Sequence, residues 1–219
     1  MDSESLKLDD VLAQNALLHQ LFHSRLWWDS YPEYVGLQSN IKMISRELIR
    51  HTHLDNTVEV EGNVTFKGPV VILRHSTILS GAYIIGPALI GEGCTVGPNC
   101  FINGHCILGN NVEVGHAAEL KCSILMDGCK VFHFSYVGHS ILGRNVNVGA
   151  GVVTAVRRFD NRSITVRHAS GQIDTGRGKF GAIIGDDSQI GIGVRILEGR
   201  VIRPQSNVLP GTLVTNNIT

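Results

Sequence analysis

Large aromatic side chains are scarce in this sequence, which has two tryptophans, four tyrosines and seven phenylalanines among its 219 residues. Charge of one sign is lacking as well, because 19 lysines and arginines oppose 19 aspartates and glutamates. A chain without net charge has no overall positive field of the kind that holds nucleic acids or anionic membrane surfaces. We therefore expect neither a nucleic acid nor a membrane as a partner.

Long apolar runs and paired cysteines are also missing. No apolar stretch approaches the roughly 20 residues that span a bilayer, and Met1 to Asp10 shows no signal-peptide pattern. The five cysteines are odd in number and contain no C-x-x-C pair, which argues against a disulfide framework or a zinc ribbon. The composition therefore predicts a cytoplasmic protein, and no metal is expected.

A six-residue repeat is the strongest pattern in the chain. The repeat has an apolar residue at every sixth position and a second, mostly small residue two positions earlier. The apolar positions are Val60, Phe66, Ile72, Ile78, Ile84, Ile90, Val96, Ile102, Leu108, Val114, Leu120, Met126 and Phe132. Hexads of this kind are typical of a β-solenoid, in which three hexads complete one turn of a narrow prism. A narrow prism is also consistent with the scarcity of aromatic rings.

The repeat is interrupted in two places. Its phase slips by one residue at Val137, and the pattern lapses between Thr154 and Ile183 before it resumes at Ile184. Cys94, Cys100 and Cys106 fall in successive small-residue positions, so we expect them to fill the core. Cys122 and Cys129 lie off that position and have no predicted role.

The first 55 residues do not repeat, and the apolar residues from Leu8 to Phe22 have roughly helical spacing. Ser39 or Asn40 is a suitable cap for a further helix. We expect an N-terminal helical extension over residues 1–55 and a β-helix over residues 56–219. Two interpretations of the extension stay open: it binds a partner or covers the substrate, or it plugs the open first coil.

A basic loop over residues 155–181 interrupts the predicted β-helix. Its cations, opposed only by Asp160 and Asp174, are Arg157, Arg158, Arg162, Arg167, Arg177 and Lys179. A long excursion from a regular scaffold usually carries function. Anion binding, a solvated loop without a ligand, and a small hairpin near Ser163 to Arg167 are the open interpretations.

Three motifs carry chemistry: E-x-K at Glu119, H-x-x-Y-x-G at His133, and N-x-G-A-G at Asn147. The chain later continues as K-F-G-A-I-I-G-D from Lys179. In order and spacing, over about residues 60–215, this pattern resembles the acetyltransferase domain of bacterial bifunctional N-acetylglucosamine-1-phosphate uridyltransferases. The resemblance implies an all-β, left-handed parallel β-helix that works as a homotrimer with sites between subunits. It also implies transfer of an acetyl group from acetyl-CoA to an amino sugar or its phosphate, such as glucosamine 1-phosphate.

The resemblance implies a role for each matching residue. His133 matches the general base, and an imidazole titrates near neutrality, as a base for this reaction requires. The other matching residues are Lys121 at the sugar phosphate, Tyr136 and Asn147 at the sugar, Lys179 closing over the sugar, and Ala150, through its backbone, at acetyl-CoA. Each has a structural alternative: a surface charge for either lysine, a packing role for Tyr136, and a turn or ladder role for Asn147.

The chain departs from the family pattern at three positions. Asn103 stands where the family has a phosphate-binding arginine, so the planar, bidentate clamp is lost. His139 replaces an aspartate and Val156 an asparagine of the sugar site. No glycine-rich strand-loop-helix with a basic segment precedes the repeat, so we expect no nucleotidyltransferase domain in this chain.

Two alternative functions remain open on the sequence alone. The first is a catalytically degenerate protein of the same fold that binds a sugar phosphate or coenzyme A as a scaffold. The second is a metal enzyme like the γ-class carbonic anhydrases, which share the prism. The histidines His105, His116, His133 and His139 lack that class's pair separated by four residues, which disfavours a zinc site.

Overall fold

The computed structural model describes residues 6–168 and 171–218. The predicted fold class is confirmed, since the chain is a left-handed parallel β-helix of hexapeptide repeats with an N-terminal helical extension. The predicted helical extension includes residues 1–5, the predicted basic loop includes residues 169 and 170, and the predicted β-helix includes residue 219. These residues lie outside the described part of the chain.

Three parallel sheets form the sides of the prism in the described part of the chain. The strands of the first sheet are His53–Leu54, Val70–Ile72, Ala88–Ile90, Cys106–Leu108, Ile124–Leu125, Ile141–Leu142, Ala182–Ile184 and Arg200–Ile202. Those of the second sheet are Glu59–Val60, Thr77–Ile78, Thr95–Val96, Glu113–Val114, Lys130–Val131, Asn147–Val148, Gln189–Ile190 and Asn207–Val208. Those of the third sheet are Thr65–Lys67, Tyr83–Ile85, Phe101–Asn103, Glu119–Lys121, Tyr136–Gly138, Val153–Thr154, Arg195–Ile196 and Leu213–Val214.

The stacking register follows the hexad repeat. Val71 pairs with Leu89 and Leu89 with Ile107, so three hexads complete one turn. The next two turns are one residue shorter, because Ile107 pairs with Ile124 and Ile124 with Ile141. These shortened turns decide which residues face the interior in the middle of the prism.

The register predicted beyond Leu120 is wrong by one residue. Leu125 and Val131 belong to the interior cluster of the prism, whereas the repeat predicted Met126 and Phe132. Met126 instead packs in the cluster that the prism shares with the N-terminal helices, and Phe132 is half-buried at a turn. The residues around Leu125 are all apolar, so the hydrophobic pattern alone could not locate the shortened turn.

The same shift explains Cys129, which has no role in the predicted register. Cys129 lies in the interior cluster in the small-residue position, as Cys94, Cys100 and Cys106 do. All five cysteines are free and buried. Burial raises the pKa of the Cys94, Cys100 and Cys106 thiols to about 12, so these thiols stay protonated and serve as compact packing groups.

Short helices precede the prism: α1 (Leu8–Leu12), α2 (Ala16–His23), a 3₁₀ turn (Trp27–Ser30), α3 (Tyr31–Ser39) and α4 (Ile41–Leu48). Among the residues the structure describes, no helix has the length and apolar character needed to cross a membrane.

The helices pack along one side of the prism. Their apolar side chains form a cluster with Val71, Leu89 and Ile107, which alternate along their strands with interior residues and therefore face outward. The first sheet is thus buried on both faces, as its nearly continuous apolar strands suggest. The interpretation of the extension as a plug over the first coil is therefore wrong, because the helices cover the side of the prism. Val60 in the first coil is exposed.

One carboxylate ties the helices to the prism. Asp186 Oδ1 accepts a hydrogen bond from the indole N–H of Trp27 at 2.8 Å and another from the backbone N–H of Arg144 at 2.7 Å. The Arg144 guanidinium in turn donates to the carbonyl oxygen of Phe22 at the end of α2. These contacts fix the orientation of the helical extension.

The excursion between Thr154 and Ala182 contains an antiparallel hairpin, Thr165–His168 with Gly171–Asp174, which confirms the hairpin interpretation of part of the basic loop. The carbonyl oxygen of Arg167 accepts hydrogen bonds from the Tyr31 hydroxyl at 3.2 Å and the Asn217 amide at 2.8 Å. The hairpin is therefore held against both the helical extension and the last described turn.

Candidate functional site

The predicted site residues lie along two edges of the third sheet. We call the stacked turns between the second and third sheets the His133 corner, and the stacked turns between the third and first sheets the His139 corner. The strand Tyr136–Gly138 joins the two corners. His139 follows His133 by six positions, a span of at most roughly 20 Å along extended chain.

The His133 corner brings His133 and Ala150 together. The backbone N–H of Gly151 donates to the carbonyl oxygen of His133 at 2.8 Å, and the 17-residue register of the adjoining strands aligns His133 with Ala150 on the next turn. The His133 side chain is exposed and its φ is +45°. One turn earlier, the His116 ring contacts the Phe134 ring at a centroid distance of 5.7 Å.

Asn147 lies on the outer face of the second sheet, next to this corner. Its side-chain amide donates to Gln189 Oε1 at 3.1 Å, and its neighbour in the ladder on the other side is Lys130. Asn147 therefore makes the side-chain ladder contact that the sequence analysis gave as its structural alternative.

The outer face of the third sheet carries Lys121 and Tyr136. In the ladder, Glu119 lies beside Tyr136 and Lys121 beside Gly138. A Cβ on Gly138 would lie 2.4 Å from the Tyr136 hydroxyl oxygen, so the ring lies across this glycine and the hydroxyl reaches toward the His139 corner. Burial, and then the Glu119 carboxylate, raise the pKa of Tyr136, which keeps the hydroxyl protonated and able to donate.

The His139 corner holds an imidazole that stays neutral. The side chain is only 8 % exposed, and its Nε2 has no hydrogen-bond partner among the described residues. Burial, and then the positive charges of Lys179, Lys42 and Lys121, lower the pKa of His139 to about 4. These three lysines therefore lie close enough to share an electrostatic environment at this corner.

An open cleft of about 800 Å³ adjoins His139, between α3 and α4 on one side and residues 157–179 on the other. Its cationic lining residues are Lys42, Arg46, Arg50, Arg157, Arg177 and Lys179. Of the predicted site residues, the cleft contains Lys179. The sequence prediction missed the helical cations, although Lys42, Arg46 and Arg50 recur at the four-residue spacing of one helix face.

One chain thus divides the predicted site in two. His133 and Ala150, with Asn147 nearby, lie at one corner, whereas Lys121 and Lys179 lie at the other, with the Tyr136 hydroxyl pointing toward them. No group of three or more His, Cys, Asp or Glu side chains in residues 6–168 and 171–218 is arranged to hold a metal ion.

Comparison with known proteins gives relatives with a related repeat region. A family model described as the GMPPB C-terminal domain matches residues 84–170. The bifunctional sugar-1-phosphate nucleotidylyltransferase/acetyltransferase of Sulfurisphaera tokodaii is 40 % identical over 75 % of this chain and 43 % of its own length. The bifunctional protein GlmU of Methanococcus maripaludis is 40 % identical over 94 % of this chain and 49 % of its own length. The chain therefore spans slightly less than half the length of these two relatives.

A solved structure shows a more distant similarity. It is a mutant perosamine N-acetyltransferase from Caulobacter crescentus in complex with CoA and GDP-perosamine, and it is 12 % identical to this chain. The match covers 82 % of this chain and 70 % of the other, with a TM-score of 0.38.

His139 should make the stability of the fold depend on pH. In the unfolded chain the imidazole binds a proton near its ordinary pKa of about 6.5, whereas in the folded chain its pKa is about 4, so protonation favours unfolding. We expect this residue to remove up to about 3 kcal/mol from the unfolding free energy as the pH falls from about 6.5 to about 4. Urea titrations over this pH range measure the effect.

The variant His139→Gln should lose this part of the pH dependence. His51→Gln, which changes an exposed histidine, is the matched control and should keep the wild-type slope. Identical slopes for wild type and His139→Gln would show that His139 titrates normally in the folded protein.

Proposed function

Because the chain resembles the C-terminal acetyltransferase part of bifunctional sugar-1-phosphate nucleotidylyltransferase/acetyltransferases, we propose that it is an acetyl-CoA-dependent N-acetyltransferase of the hexapeptide-repeat class. Its acceptor is an amino sugar or an amino-sugar phosphate of the glucosamine 1-phosphate type. The observation that carries the proposal is the position of His133, exposed at a corner beside the backbone of Ala150. No metal is required for this step, and a cytoplasmic location stays a prediction.

The proposed reaction needs a base and a place for the thioester. The sugar amine attacks the carbonyl carbon of acetyl-CoA, the new C–N bond forms, and His133 takes the proton that the amine loses. The C–S bond then breaks, and the proton on His133 passes to the departing sulfur of coenzyme A. A positioned base of this kind contributes roughly a hundredfold to ten-thousandfold in rate. Ala150 presents its backbone to the acetyl-CoA side of the site.

A second subunit is part of the proposal, because one chain places His133 and the lysines Lys121 and Lys179 at opposite edges of the third sheet. Apolar residues on or beside the His133 corner support contact with another copy there. Phe134 is 69 % and Ile192 61 % exposed, and Val153 and Leu213 are exposed as well. An exposed apolar patch of this kind is typical of an interface. We propose a homotrimer in which one subunit supplies the base and its neighbour supplies the sugar-binding lysines.

The phosphate of the acceptor would meet lysines at the His139 corner. Asn103 is the last residue of its third-sheet strand and stacks between Ile85 on one neighbouring turn and Lys121 on the other. An arginine at position 103 could therefore reach the same phosphate as Lys121. Lysine offers a point charge, whereas arginine offers a planar fork with several donors. The proposed site therefore binds a sugar phosphate less tightly than a site with arginine at position 103.

The role of His133 can be tested by His133→Ala. We expect turnover to fall at least about a hundredfold, because the base is lost, with the affinity for coenzyme A and the subunit mass unchanged. His116→Ala is the matched control, since this exposed histidine precedes His133 by one turn of the register. Steady-state assays with acetyl-CoA and glucosamine or glucosamine 1-phosphate give kcat, and calorimetry gives the affinity.

Equal activity in wild type and His133→Ala would remove His133 from the mechanism. Coenzyme A binding without turnover of either acceptor by the wild type would favour the scaffold function instead.

The interfacial position of the His133 corner can be tested by Phe134→Asp. A carboxylate at this corner should be desolvated without a partner in the trimer and should dissociate it. Phe159→Asp is the matched control, because Phe159 is an exposed phenylalanine that lies in the basic loop. Analytical ultracentrifugation should show about three times the monomer mass for wild type and Phe159→Asp, and a smaller species for Phe134→Asp. A fully active wild-type monomer would contradict the two-subunit site.

The proposed weakness of the phosphate site can be tested by Asn103→Arg. This change should raise kcat/KM for glucosamine 1-phosphate relative to glucosamine, because an additional cation meets the phosphate in the transition state. Ile85→Arg, one turn earlier in the same column, should leave that ratio near its wild-type value. A wild-type enzyme that already prefers glucosamine 1-phosphate, with no gain from Asn103→Arg, would contradict this account of the site.

A further inference from the structure

The cleft beside α4 concentrates positive charge in a chain that has no net charge. The described residues that line the cleft include six cationic side chains and one acidic side chain, Glu47. None of the six forms an ion pair with another described residue; the ion pairs found lie elsewhere. No carboxylate of the described residues therefore forms an ion pair with any of these six cations.

The fold places these cations together from two distant segments. Lys42, Arg46 and Arg50 follow one another at four-residue intervals along and just beyond α4, where like charges disfavour the helix by a few tenths of a kcal/mol per pair. Arg157 and Arg177 lie across the cleft in the basic loop. The Arg177 guanidinium donates to Asn40 Oδ1 at 2.9 Å, so a hydrogen bond holds the two walls in position.

Uncharged polar groups in the lining also lack partners. His139 Nε2, Gln38 Oε1 and Ser39 Oγ are buried and have no hydrogen-bond partner among the described residues, and all three residues line the cleft. An unpaired buried polar atom costs roughly 1 to 3 kcal/mol. Of the three, the Ser39 hydroxyl can donate to an anion, whereas the Gln38 amide oxygen can only accept. The Ser39 hydroxyl and the cluster of unpaired cations together indicate a site for a polar, negatively charged ligand.

We propose that the cleft between α4 and the basic loop is a binding site for a diphosphate group. The diphosphate belongs to a nucleoside diphosphate or its sugar conjugate, or to coenzyme A. Cations on both walls can contact two adjacent phosphates at once, and arginines give bidentate contacts to phosphate oxygens. The volume of about 800 Å³ lies within the range of pockets for small molecules and cofactors, so the cleft has room for more than the phosphates.

Within one chain the cleft is separate from the catalytic His133, because the third sheet lies between them. Lys179 belongs to both the cleft and the proposed acceptor site, whereas the other cations that line the cleft have no role in the proposed acetyl transfer. Binding of a diphosphate can be measured without acetyl-CoA. Failure of the diphosphate site and failure of the acetyltransferase activity would therefore be separate results.

The test is isothermal titration calorimetry on the full chain with pyrophosphate, inorganic phosphate, UDP, GDP and coenzyme A. We expect the diphosphates to bind more tightly than inorganic phosphate and to lose affinity as salt is raised. Arg46→Glu on the helical wall and Arg157→Glu on the loop wall should each weaken diphosphate binding at least tenfold. Arg25→Glu makes the same charge change at an exposed arginine outside the cleft and should bind as wild type.

The ligands distinguish the two sources of the diphosphate. Tighter binding of UDP or GDP than of pyrophosphate, with coenzyme A affinity unchanged in Arg46→Glu, assigns the cleft to a nucleoside diphosphate. A loss of coenzyme A affinity in Arg46→Glu, with UDP and GDP no tighter than pyrophosphate, assigns it to coenzyme A. The proposal is overturned if no diphosphate binds, if phosphate binds as tightly as pyrophosphate, or if Arg25→Glu weakens binding as much as Arg46→Glu does. Unchanged melting temperatures verify that the variants are folded.

Discussion

In-register stacking of successive turns is the constraint on which this structure depends. Each strand forms its hydrogen bonds with the equivalent strand one turn earlier and one turn later, so residues 17 or 18 apart in sequence lie about 4.8 Å apart in the column. The narrow interior accepts one large and one small apolar side chain per hexad, as Ile102 and Cys100 illustrate. The corners are the places where the chain can vary, and the candidate chemistry of His133 and His139 lies there.

The helical extension determines which faces of the prism stay accessible. It buries the outer face of the first sheet and is fixed by Asp186 through Trp27 and Arg144. The faces of the second and third sheets remain for other contacts, with a polar ladder at Asn147 on one and Tyr136 on the other. Because α4 runs beside the basic loop, the same packing that stabilises the first sheet also forms the cationic cleft.

Electrostatics differ between the two edges of the third sheet. At the His139 corner, burial and the positive charges of three lysines lower the pKa of the imidazole and keep it neutral. At the other edge, His133 is exposed beside apolar residues such as Phe134 and Ile192. A candidate anion-binding region and a candidate base are thus separated within one chain, and the proposed trimer is the arrangement that would unite them.

The repeat in the sequence by itself determined the β-helix, because no other regular structure has a six-residue period with alternating large and small interior residues. The neighbouring positions of His133 and Ala150 were decided by the shortened turns, since 17 residues complete a turn here whereas three hexads predict 18. The register near Leu125 was decided only in three dimensions, because adjacent apolar residues satisfy the pattern equally well in either phase. The tertiary structure alone also placed the helices along the first sheet and brought Arg46 and Arg157 to one cleft. Periodicity describes local geometry, whereas contacts between segments far apart in the chain depend on how whole surfaces pack.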